Sequence, residues 1–211
     1  MRSKYSTIFL VLANLYPIYG AIFLGWNVKL ILYTYWCENL IIGLFTVLKM
    51  LKTKIYLDNT QSNNPGLNGN DISRSNSLKI FSFIVRYYFL SYLYYSFINA
   101  IILSKDLSHK IIVPVGFIFL SHTFSYVVNF IIGEEYKKLS LEEETKMPIR
   151  RLLVVHLTII FVFPIGAIVF NFKNNTDISL ITTMVLVKII LDISAHLKEH
   201  KGLQNSGTET I

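Results

Sequence analysis

The sequence predicts an all-α membrane protein: a bundle of six transmembrane helices with both termini in the cytoplasm. Three observations predict it. Apolar runs of spanning length recur along the 211 residues. Only 16% of the residues are charged, against about 25% in soluble domains. The positive charges collect in alternate loops. A span needs roughly 20 mostly apolar residues, because the hydrocarbon core is about 30 Å thick and a helix rises about 1.5 Å per residue.

The first span is expected over residues 7–24. Arg2 and Lys4 before it resemble the start of a signal peptide, but the apolar run is too long for one and further spans follow at once. Gly25-Trp26-Asn27 ends it. The second span, 29–51, leads into a polar stretch from Asp58 to Ser77 centred on Asn64-Pro65-Gly66, whose composition predicts a flexible loop. The third span covers 78–103 and the fourth 111–132. A charged loop follows, in which Ser140 and Glu143 have the spacing of a capping box and predict a short helix. The fifth and sixth spans cover 151–170 and 180–196, and residues 201–211 form a polar tail. Pro17 and Pro164 are followed by similar residues, which we read as coincidence and not as a repeat.

The charges orient this layout. With the N-terminus inside, fourteen Lys and Arg fall in inside segments and four, Lys29, Lys105, Lys110 and Lys173, in outside turns; Arg86 and Lys188 lie within spans. Cytoplasmic loops carry the excess of Lys and Arg, so both long loops are cytoplasmic. The same distribution explains the net charge of +7 by topology and excludes nucleic acid as the expected partner; the lipid bilayer is the partner. The single cysteine, Cys37, rules out an intrachain disulfide and any CxxC site. It reads as a small buried hydrophobe.

Ionisable groups inside a membrane are costly, by roughly 3 kcal/mol on insertion scales, and are functional candidates by default. The structural alternative is that polar side chains act as interhelical glue. At helical rise, Glu38, His122 and Lys188 fall near the midplane, and Arg86, Asn129, His156, Asp192 and His196 in the cytoplasmic half. Matching depths on separate helices predict one polar cavity, with Glu38 and Lys188 as candidate acid-base groups and Asn39, Arg86, Asn129 and Arg151 around them.

On the sixth span Lys188, Asp192, His196 and His200 recur every four residues and form one stripe. Asp192 can pair with Lys188. Asp192 and His196 at i, i+4 can also share a divalent metal such as zinc, with His122, His156 or Glu38 completing the shell. A third reading is a proton relay, since Asp, Glu and His chains across a bundle carry protons. The third span is rich in tyrosine; Tyr88, Tyr92 and Tyr95 share a face and are expected to pack within the bundle, and Trp26 suits the outer interface. No phosphate-binding loop, GxSxG elbow or HExxH motif is present.

Tyr35-Trp36, Glu38-Asn39, Ile41-Ile42-Gly43 and Leu48-Lys49-Met50, then Ser121-His122, Asn129, Glu135-Tyr136, Pro148, Arg151 and His156-Leu157-Thr158-Ile159, and finally Lys188, Asp192, His196 and His200, resemble an uncharacterised domain family of small prokaryotic membrane proteins. Ile149 departs from the aromatic expected after Pro148. The resemblance implies a multi-pass bundle in the prokaryotic inner membrane and supplies no activity. His196 and His200 are also similar in spacing to the last-helix histidines of membrane ceramidase and adiponectin-receptor-like hydrolases, although those have seven spans and a Ser-xxx-His pair missing here.

Three functions follow as expectations. The first is an intramembrane enzyme, metal-dependent or acid-base, acting on a lipid-like substrate through His122, His156, Asp192 and His196 with Glu38 handling protons. The second is a proton- or ion-coupled transporter built on Glu38, Lys188 and Asp192. The third is a non-catalytic membrane module.

Overall fold

The computed structural model describes residues 19–20, 22–61, 69–101, 111–138, 140–146, 148–153 and 156. Among them the chain is helical, with no strand. It divides into two compact units, residues 32–152 and residues 1–31 with 153–211.

In the second of these units, helical residues end where Gly25 takes a φ of +64°, a left-handed conformation that glycine adopts without steric cost. The Trp26 N–H donates back to the Gly20 carbonyl at 3.0 Å. Trp26, expected at the outer interface, is buried. Asn27 then caps the next helix, its side-chain oxygen accepting from the Leu30 N–H at 2.8 Å.

That helix, α1 (Val28–Gln61), and α2 (Gly69–Ile101) have 34 and 33 residues. Both outrun the expected spans and take up much of the stretch read as a flexible loop; Asn64-Pro65-Gly66 lies outside the described residues. Hydropathy marks where a helix leaves an apolar medium, and nothing between Leu51 and Gln61 breaks a helix. The polar extension is held instead by its own bonds. Lys54 donates to Asp58 one turn on (2.7 Å) and to Ser73 of α2 (3.1 Å), and the Ser73 hydroxyl donates to Asp58 (2.9 Å). Burial pushes the Asp58 carboxyl up, but hydrogen bonds from Lys54, Ser73 and Asn76 and the Lys54 charge outweigh it and hold it below its ordinary value.

Within residues 32–152, α1 and α2 run antiparallel. Tyr94 donates its hydroxyl to the Leu32 carbonyl (3.1 Å), the Trp36 indole N–H donates to the Ser91 carbonyl (3.1 Å), and Tyr87 donates to the Asn39 carbonyl (2.9 Å). Gly43 makes the approach possible: a Cβ there would sit 2.5 Å from the Tyr87 ring. The buried stripe of α2 is Ile80, Phe83, Tyr87, Ser91, Tyr94 and Ile98, at the three- and four-residue spacing of one helix face. So the buried tyrosines are Tyr87 and Tyr94, while Tyr92 and Tyr95 of the expected face are exposed. Met50, Leu141 and Leu152 close the core over Phe83 and Tyr87.

Next comes α3 (Ile112–Ser125), with Pro114 in its first turn, where the missing N–H costs nothing. It continues as a π-helical segment, Tyr126–Ile132, so the fourth element ends where expected but changes its winding. Ile112–Ile132 is long and apolar enough to cross a membrane, and little of it is buried. After a short turn, Glu135–Lys137, the capping box forms as expected. The Ser140 hydroxyl accepts from the Glu143 N–H (3.3 Å), and the Glu143 carboxylate accepts from the Ser140 N–H (2.9 Å). These bonds hold the Glu143 carboxyl below its ordinary value and start the helical residues 141–146.

Candidate functional site

One face of α1 carries Glu38, Phe45, Lys49 and Thr53. Seven- and four-residue steps keep them nearly in line, and the stripe rises about 22 Å. Its neighbours come from the second half of the unit. Phe45 lies against Phe119, His122 and Tyr126, with ring centroids 5.7, 6.1 and 5.7 Å away. The Lys49 ammonium stands over the Phe130 ring at 5.2 Å, and Lys52 over Tyr136 at 5.1 Å. Such contacts hold a cation without neutralising it.

The stripe ends at a buried carboxyl. Glu144 is 8% exposed. Its Oε1 accepts a 2.6 Å hydrogen bond from the Thr53 hydroxyl; its Oε2 is buried with no hydrogen-bond partner. Burial pushes the carboxyl up, only partly offset by the Thr53 hydrogen bond and the Lys49 charge, to about 7. Glu144 therefore titrates near neutrality. Tyr126 of the π-helical segment interacts with it electrostatically.

Sequence reasoning missed Glu144, although a signal was present. Glu142, Glu143 and Glu144 point in directions about 100° apart on a helix. Leu141 marks the inward face, and the residue three positions on is Glu144.

Of the expected site residues, Glu38, His122 and Arg151 share one electrostatic neighbourhood: His122 interacts with Glu38, Arg151 and Lys49, and Tyr87 with Glu38 and Arg151. Asn39 is buried, its amide donating to the Tyr35 carbonyl (3.0 Å). Arg86 and Asn129 lie at the surface, Arg86 donating to the Ser82 carbonyl (3.2 Å) and Asn129 to the Ser125 hydroxyl (3.2 Å). His156 belongs to the other compact unit. Lys188, Asp192 and His196 lie outside the described residues, with the fifth span beyond residue 156 and the whole sixth. Among the described residues no three His, Cys, Asp or Glu come together as a metal site.

A helical chain with a line of titratable groups along one interhelical seam is the class the fold and site define. The chain belongs to the family of unknown function DUF6498, which it matches over residues 1–209. No curated protein and no solved structure matches it.

Proposed function

We propose that this chain is an integral membrane protein of a prokaryotic inner membrane, with six spans and both termini cytoplasmic, and that it carries protons along the α1 seam as a proton-coupled transporter. The bilayer reading is supported by the two-faced apolarity of its helices. Leu78, Phe81, Val85 and Phe89 of α2 are each more than half exposed, opposite its buried stripe, and Leu44, Leu48, Leu51 and Ile55 form a second exposed row on α1. Large contiguous apolar surface is rare on soluble monomers, and a helix apolar all round belongs in a core or in lipid.

The observation that carries the transport reading is Glu144: a buried carboxyl with one unbonded oxygen, at the cytoplasmic end of a stripe that begins at Glu38. Glu38, His122, Lys49 and Glu144 are ionisable side chains at successive levels, and Glu144 can load and unload near the pH of the cytoplasm. The metal-dependent enzyme draws on Asp192 and His196 and gains nothing from the described geometry.

The test is proton flux into proteoliposomes under an imposed gradient, read with an entrapped pH dye. Flux above that of protein-free vesicles, abolished by Glu38→Gln and reduced at least tenfold by Glu144→Gln, is expected. Wild-type flux no greater than that of empty vesicles overturns the reading.

A further inference from the structure

A second polar region lies outside the seam, in a groove of about 440 Å³ between α2 and the helical residues 141–146. Its polar wall is built from Lys79, Arg86, Ser75, Ser82 and Thr145, with Glu142 as the single carboxylate. Arg86 is exposed. Its Nε is tied to the Ser82 carbonyl at 3.2 Å, a bond that uses one of the five guanidinium N–H donors. Lys79 reaches across to Glu142 at 3.1 Å, in a pair that is 46% and 70% exposed. The exposed row Leu78, Phe81, Val85 and Phe89 runs beside this wall along the same helix.

Hydroxyls, a guanidinium and an ammonium around one concavity are the donor set of a phosphate site. An apolar ridge leading away from it suits an acyl chain. Side chains on a helix lean toward its N-terminus, which for α2 is the cytoplasmic end in the six-span layout. Arg86, about 12 Å along the helix from the start of the apolar run, thus leans back toward the headgroup level. We infer that this groove binds the phosphate headgroup of an anionic phospholipid of the cytoplasmic leaflet, with Arg86 and Lys79 on the phosphate and the acyl chain along Phe81, Val85 and Phe89. The inference rests on the membrane reading above and is independent of proton transport.

Native mass spectrometry of the purified full chain tests it, in mild detergent with phosphatidylglycerol or phosphatidylcholine added in equal amounts. Phosphatidylglycerol is expected to be retained preferentially. Each basic residue near an anionic surface is worth about fivefold, so Arg86→Gln with Lys79→Gln lowers phosphatidylglycerol binding roughly twenty-five-fold and lowers binding of the zwitterionic phosphatidylcholine less. Glu142→Gln, which removes the carboxylate competing for Lys79, raises it about threefold. This opposite sign keeps the test decisive if the double variant folds poorly. Equal retention of the two lipids, or a preference unmoved by Glu142→Gln, overturns the inference. So does full displacement by millimolar inorganic phosphate, which would assign the groove to a free anion. Failure of the membrane reading shows separately, as a chain that stays monodisperse in buffer without detergent.

Discussion

The two seams that α1 makes are built from opposite materials. Toward α2 it is closed: Gly43 lets the Tyr87 ring sit against the backbone, and Tyr87, Tyr94 and Trp36 each give their one polar hydrogen to a carbonyl on the facing helix. Toward α3 and residues 141–152 it is titratable, with His122 and Lys49 against the Phe45 and Phe130 rings and with Glu38 and Glu144 in the same neighbourhood. A hydroxyl bonded to a carbonyl is satisfied at every ordinary pH and contributes rigidity. A buried carboxyl with one unbonded oxygen is in balance between two charge states. The first seam holds the hairpin together, and the second can change with proton supply.

That contrast can be broken most severely at Gly43. Gly43→Val places carbon within 3 Å of a ring that has no room to move, and overpacking costs typically 1–3 kcal/mol; the full 3 kcal/mol is expected, read as a large drop in thermal midpoint in detergent at every pH. A comparable effect, but pH-dependent, is expected at Glu144. Its folded value of about 7 lies above the unfolded carboxylate value of about 4.3, so between those values the folded state binds the extra proton. Stability then falls as pH rises from about 4.3 to 7 and levels off above, by on the order of 4 kcal/mol. Glu144→Gln keeps an acceptor for Thr53 and has no charge to bury. It should melt above wild type at pH 8 and near it at pH 4.5. A wild type–variant difference that is constant with pH would erase the distinction between the seams.

Tyr87→Phe tests the closed seam more gently. It leaves the Asn39 carbonyl without its donor and should cost about 1 kcal/mol at all pH values. The smallest effect is expected in the polar extension. Asp58 is held below its ordinary value, so its contribution is present above about pH 4 and is lost as pH falls through the folded value. Lys54→Ala should cost about 0.5 kcal/mol at pH 7 and nothing at pH 2, by denaturant titration.

Much of the local structure was legible. The turn Gly25-Trp26-Asn27 ended one helix as read, although the capping of the next by Asn27 was not foreseen, and Ser140 with Glu143 started the short helix. The limits of α1 and α2 were misjudged because apolarity reports a solvent boundary, whereas Lys54, Asp58, Ser73 and Asn76 continue both helices by hydrogen bonding outside it. Arg86 was grouped with the buried cluster on depth alone; its facing depends on the rotation of α2 about its own axis. Glu144 was passed over because its segment was read only as a charged loop, outside the spans searched for polar groups.

Composition, the recurrence of long apolar runs and the sidedness of Lys and Arg were enough, with no coordinates, to set the helical class and the expectation of a bilayer. Those properties are sums along the chain, and summing needs no knowledge of neighbours. Which side of each helix turns inward was decided only in three dimensions. On α2 both faces are apolar, so hydropathy gives no preference, and packing of Tyr87 against Gly43 makes the choice. Tertiary structure likewise brings Glu144 to Thr53 across 91 positions of sequence, a pairing that no local pattern encodes.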